Sequence, residues 1–244
     1  MSSIELAWQQ FRLERKLFWR NPSAAFFNFL LPLLLLVLVA SVFAGDPDEL
    51  DVLIPGVAGM SVMATTFSAL AFNLTFLREQ GILKRVRGTP LPEASYLGGL
   101  LGSAVVNAFV QVALVVLIGH YAYGVELPQS PLLLVGFTAL GVVTFGSLGI
   151  AFSHAIPNFD SAPAYVNAVF LPLILISGVF YSTDRLPAFL DAAAQALPLT
   201  HLIDGLSAAI VGGASAGSEL TAALVVGGWA LAGAAIAIRW FRWE

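Results

Sequence analysis

Several apolar runs of twenty or more residues, separated by short polar turns, govern what this chain can fold into. In lipid, each backbone N–H and C=O must find its partner inside its own segment. A run of about 20 apolar residues therefore reads as one helix crossing a hydrocarbon core about 30 Å thick. Composition agrees: 58% of the 244 residues are hydrophobic, 11% are charged, and the mean hydropathy is +0.86. Soluble domains run at about 45–50% apolar and 25% charged. The expected fold class is an all-α polytopic membrane protein, a single transmembrane domain over residues 1–244. The absence of Cys excludes disulfides, thiolate chemistry and Cys metal sites.

Six spans are expected, at about 23–44, 52–77, 94–120, 131–153, 162–181 and 219–238. Residues 2–20 precede them as an amphipathic helix. Ile4, Ala7, Trp8, Phe11, Phe18 and Trp19 share one face, and Glu5, Gln9, Arg12, Lys16 and Arg20 another. Such a helix either lies in the headgroup plane or packs on protein. The sequence VFA before Gly45 imitates a cleavage site, but the apolar run is too long for a signal peptide, so 1–44 is expected to be retained. Residues 182–217 are half-apolar and broken by Pro187 and Pro198, with neither piece long enough to cross. They suit short re-entrant helices at the membrane edge.

Charge fixes an expected orientation. With six spans, Arg12, Arg15, Lys16, Arg20, Arg78, Lys84, Arg85, Arg87, Arg239 and Arg242 fall on one side, and only Arg185 opposes them. The positive-inside rule then places both termini and the stretch 78–92 in the cytoplasm. The acidic turn of Asp46, Asp48, Glu49 and Asp51, together with Glu126 and 182–217, faces outward.

The spans hold essentially no ionisable residue, which argues against a proton- or sodium-coupled carrier. No G-x4-G-K-[ST] loop exists, so energy for active transport would come from another chain. An intramembrane hydrolase built on Ser215 with His120, His154 or His201 is the enzyme alternative. It needs a base beside the serine, and these histidines are scattered. They form no metal site of usual spacing either. Asn28, Thr65, Thr66, Asn73, Asn107, Gln111, Thr138, Thr144, Asn167 and Ser177 lie inside spans. They either bond between helices or line a path. Asn167, Phe170, Ile174, Ser177 and Tyr181 at helical spacing, with Met63, Phe67 and Leu70, offer an aromatic and apolar lining for an amphipathic cargo.

The polar stretch Arg78–Pro92 reads as a short amphipathic helix. Ile82, Leu83 and Val86 fall on one arc and Lys84 and Arg87 on the other. Gly88 offers a left-handed stop, and Pro90 and Pro92 prevent continuation. It is either a docking plug or a charge patch resting on headgroups.

EQGILKRVRGTPLP (79–92) resembles the E-x-G-(T/I)-L-(R/K)-R pattern that follows the second span in type-2 ABC exporter permeases. ISGVFYSTDRLPAFLDAAAQALPLTHLIDGLSAAIVGG (176–213) is similar to that family's signature after span five, and the helix ending in Arg20-Asn21-Pro22 to its interfacial helix. The resemblance implies a six-span half-transporter working as a homodimer or pseudodimer, each subunit bound to a cytosolic ABC ATPase that holds ATP and Mg, the homodimer giving a 2:2 complex. This chain would carry no cofactor, no metal and no nucleic acid. The resemblance makes Glu79, Gln80, Gly81, Lys84, Arg85 and Arg87 the ATPase contacts, has spans two and five line the path, and closes an outer gate near 184–198. It further implies export of a drug, lipid or lipid-linked molecule from a prokaryotic cytoplasmic membrane, with a polysaccharide exporter as the alternative within the family. An ATP-independent channel or scaffold is a further class. Where the family shows Arg soon after the position of Asp204, this chain has Gly205-Leu206-Ser207-Ala208.

Overall fold

The structure is a computed structural model that describes residues 3–43, 45–182 and 187–240. Ala44, Arg185, Arg242 and the side chain of Asn28, all invoked above, lie outside the described residues. Among the described residues the chain is helical, without strands. The α-helices are α1 (Ser3–Arg20), α2 (Pro22–Val42), α3 (Pro47–Met63), α4 (Ala69–Glu79), α5 (Ile82–Arg87), α6 (Glu93–Tyr123), α7 (Pro131–Phe152), α8 (Ala162–Ile176), α9 (Ala188–Ala194), α10 (Pro198–Ile210) and α11 (Ala216–Trp240). A π-helical turn, Ala64–Ser68, joins α3 to α4, and a 3-10 turn, Ser153–Ala155, prolongs α7.

Four helical rods are long and apolar enough to cross a bilayer: Pro47–Glu79, Ala94–Tyr123, Pro131–Ala155 and Ala216–Arg239. The apolar stretch Phe29–Val42 within α2 and the shorter helix Ala162–Ile176 accompany them, α2 as a whole having 21 residues. At 1.5 Å per residue, the 15 residues of α8 reach roughly 22 Å, less than a hydrocarbon core. The helix expected to continue to 181 stops at Ile176, because Ser177 leaves helical geometry and Gly178 takes a left-handed φ of 75°. Tyr181 is therefore off the helix, with its hydroxyl donating to the Leu175 carbonyl.

α7 runs through the middle, against α3, α6, α10 and α11. Fully buried Phe145 sits in this core with Met60, Met63, Leu202 and Leu206. In lipid, close packing and interhelical hydrogen bonds hold such helices together. Thr144 Oγ1 lies 3.0 Å from the Val226 carbonyl, and Gln111 Nε2 donates to Phe29 O at 3.2 Å. For these two side chains, bonding between helices is what the structure displays.

The N-terminal helix buries only part of the apolar face the wheel gives it, Ala7, Phe11 and Phe18, together with polar neighbours. Gln10 is buried, and Phe11, Glu14, Arg15 and Phe18 are half-buried against α6, while Ile4, Trp8 and Trp19 are exposed. The reason is Gly99: a Cβ there would lie 2.5 Å from the Gln10 side chain, so its absence lets the two helices touch. α1 is packed on protein along one side, and its large apolar residues are left for other surroundings.

The turns sort to two ends. Arg78 to Pro92, the α7–α8 turn and the C-terminal part of α11 gather at one. The α6–α7 turn, α9 and α10 gather at the other, where Gln129 and Ser130 donate backbone N–H groups to Ile210 and Ala209.

Candidate functional site

The stretch 78–92 is a folded device. α4 ends at Glu79, and the chain reverses through Gly81, whose φ of 66° is left-handed and favours glycine. The left-handed residue thus precedes α5. Gly88, expected to supply that conformation, has φ −75° and closes α5 with an ordinary helical turn. Thr89 does the terminating: its N–H and its Oγ1 both donate to Val86 O, at 2.9 and 2.6 Å. The Pro90 and Pro92 rings follow. Extended backbone at Pro92 then starts α6.

Leu83 anchors α5. It is buried in a satellite cluster with Leu70 and Leu74 of α4, Tyr96 and Leu100 of α6, Ile150 of α7 and Ala237 of α11. Ile82 and Val86 are half-buried beside it, and Lys84, Arg85 and Arg87 are exposed. The helix is held by its apolar arc and presents cations outward. Gln80 is exposed at the reversal.

Two neighbouring residues tie this stretch to the α7–α8 turn. Arg78 donates to Ser153 O at 3.0 Å and also to Ile156 O, satisfying carbonyls at the frayed end of α7. Glu79 accepts the N–H of Phe159. The Phe76 and Phe159 rings meet edge to face at 5.3 Å. Sequence reading gave Arg78 no role beyond positive charge and missed this clasp, because its partners are backbone groups 75 and more residues away, which leave no pattern along the chain.

The residues expected to line a path fall in different environments. Met63 and Phe67 are buried in the main core with Ile174, and half-buried Phe170 packs on that core. Leu70 is buried in the satellite cluster. Ser177 is buried, and its hydroxyl has no hydrogen-bond partner among the described residues. Asn167 is exposed on α8 and Tyr181 half-exposed beyond it.

The groups weighed for hydrolysis each bond elsewhere. His120 Nδ1 pairs with Val125 O at 2.9 Å, His154 Nδ1 with Ile150 O at 3.2 Å, and His201 Nε2 with Gln195 O at 2.9 Å. Ser215 Oγ accepts the Ser218 N–H at 3.2 Å, at the start of α11. Among the described residues, no three His, Asp or Glu side chains are grouped to hold a metal.

The family model of the ABC-2 type transporter matches residues 5–211, from α1 to just past α10. The chain belongs to the ABC-2 type transporter family. It is 24% identical over 164 residues to the probable multidrug ABC transporter permease YbhS of Escherichia coli (strain K12), covering 66% of this chain and 43% of YbhS. It is 28% identical over 198 residues to the putative transport permease ycf38 of Cyanophora paradoxa, covering 76% of this chain and 67% of that protein. It is 24% identical over 159 residues to the linearmycin resistance permease protein LnrN of Bacillus subtilis (strain 168), covering 64% and 41%. The chain thus spans under half the length of two of these relatives. As an ABC-2 permease it is a transmembrane protein, and the family match takes in both α1 and the α4–α5 reversal.

Proposed function

We propose that this chain is the permease subunit of an ATP-driven exporter, moving a hydrophobic or amphipathic cargo and drawing its energy from a separate ABC ATPase. The observation that carries this is α5: a helix riveted by Leu83 to four other helices while Lys84 and Arg85 stand exposed. Such a lever transmits force from an aqueous partner into the bundle. Glu79, Gln80, Gly81, Lys84, Arg85 and Arg87 would form the contact, with ATP and Mg held by the partner. α2 and α8 complete six spans, the short α8 thinning the bilayer locally, and both termini face the cytoplasm. α9 and α10 are the outer half-helices.

Cargo would move between two copies of the chain in a 2:2 complex, in a prokaryotic cytoplasmic membrane. Asn167 on the exposed side of α8, with Phe170 and Tyr181, is the part of the lining already open to it. Met63, Phe67, Leu70, Ile174 and Ser177 would join only when the core around them opens. The multidrug and linearmycin-resistance names of the relatives support a drug- or lipid-like cargo.

The test is co-purification with an ABC ATPase co-expressed with this chain from the same organism. Lys84→Glu with Arg85→Glu is expected to lower recovery of the ATPase at least tenfold, with the permease's own Tm unchanged. Equal recovery from the double variant rules out coupling through α5. Stimulation of ATPase activity in vesicles by a panel of lipids and drugs then identifies the cargo class.

A further inference from the structure

The elbow between α1 and α2 forms an open apolar groove of about 430 Å³, lined by Trp19, Pro22, Phe26, Phe29, Val110 and Leu114. The Trp19 and Phe29 rings stack at 6.5 Å to form one wall. A cation stands at one end. The Arg15 guanidinium lies 5.8 Å from the Trp19 ring and donates to Asn107 Oδ1. Asn107, Val110 and Leu114 follow one another along α6 at helical spacing, so the apolar wall runs roughly 10 Å onward from that cation. Arg20, exposed between two lining positions, adds a second positive charge.

Arg15 is half-buried, yet its hydrogen bond is to a neutral amide. Among the described residues, no carboxylate forms a salt bridge with it. A partly desolvated cation without an anion is costly. Here it lies beside the Trp19 ring that lines the apolar groove.

We propose that the α1–α2 elbow binds one acidic phospholipid, its acyl chain along Trp19, Phe29, Val110 and Leu114 and its phosphate on Arg15. Headgroup charge selects the lipid, because the groove itself accepts any chain. The bound lipid fills the gap between α1, α2 and α6 and supplies the anion that Arg15 lacks. This site is independent of how the ATPase couples.

The experiment uses the full chain in phosphatidylcholine vesicles, with Trp8, Trp229, Trp240 and Trp243 replaced by Phe so that Trp19 reports alone. Phosphatidylglycerol brominated on its acyl chains is expected to quench Trp19 at about fivefold lower mole fraction than brominated phosphatidylcholine, the advantage of one cation near an anionic headgroup. Arg15→Gln should bring that ratio to about one. Equal quenching by both lipids in the parent indicates ordinary annular lipid and overturns the proposal. So does undiminished preference in Arg15→Gln. If the Phe variants do not fold, native mass spectrometry of the unaltered chain answers the same question. One phosphatidylglycerol should be retained per chain and lost in Arg15→Gln, and retention unaffected by that substitution rejects the site.

Discussion

Two threonines carry the π turn of the longest rod. Thr65 Oγ1 donates to Ser61 O at 2.8 Å and Thr66 Oγ1 to Val62 O at 2.6 Å. A π turn displaces backbone donors from their usual acceptors, and in lipid no water replaces them. Hydroxyls bonding back one turn do so here. Thr65→Val with Thr66→Val, nearly isosteric, is expected to cost roughly 1–2 kcal/mol, read as a lower unfolding midpoint in detergent. An unchanged midpoint means the hydroxyls are dispensable. Glu14 gives a pH-dependent counterpart. Burial pushes its carboxyl above the ordinary range, offset in part by Gln10 Nε2 donating at 2.8 Å. A raised folded pKa means that the folded chain holds this proton more tightly than the unfolded chain. The contribution is therefore present below the ordinary carboxylate pKa and is lost as pH climbs through the raised value. The parent's Tm should carry a decline from about pH 4 upward that Glu14→Gln removes. Identical slopes in the two proteins would show that Glu14 is not the group responsible.

At the scale of elements, the α4–α5 reversal and the α7–α8 turn behave as one unit. Arg78→Ala leaves the Ser153 and Ile156 carbonyls without their guanidinium, and Glu79→Ala frees the Phe159 amide. Hydrogen exchange across 153–161 is expected to speed up about tenfold in Arg78→Ala, the factor for about 1.4 kcal/mol. Exchange in α10 should not change, and if the turn's exchange is equally unmoved the clasp holds nothing. Leu83→Ala removes the anchor and should cost about 2–5 kcal/mol locally, seen as early exchange of α5 alone. The sequence made α5 legible because its apolar arc and its prolines are local signals. It misplaced the left-handed glycine, since Gly81 and Gly88 both flank the helix and only the path of the chain into it distinguishes them. Which part of its apolar face α1 buries was equally hidden, because it depends on Gly99, 89 residues beyond Gln10.

For the whole molecule, apolar runs far longer than a soluble strand or helix needs made the helical membrane fold readable. The length of α8 was not, because a glycine can end a helix inside an apolar run, as Gly178 does. The grouping of path residues was hidden too: Met63 and Leu70 sit about two turns apart on one rod but join different clusters. Orientation is open to a direct measurement, because the chain contains no Cys and a single introduced thiol reports alone. In intact cells, an impermeant maleimide is expected to label Glu126→Cys and to spare Lys84→Cys. The reverse pattern inverts the topology. The π turn at Ala64–Ser68 also sets how this rod can move. Each residue of an α-helix carries about 100° of rotation, so an over-wide turn stores one residue of angular slack at a fixed depth. If it migrates by one position, the residue it passes swings to a new face while the rod stays unbroken. Rotation about its own long axis is thus a movement open to the lower half of this rod, with α5 carried at its end like a crank handle.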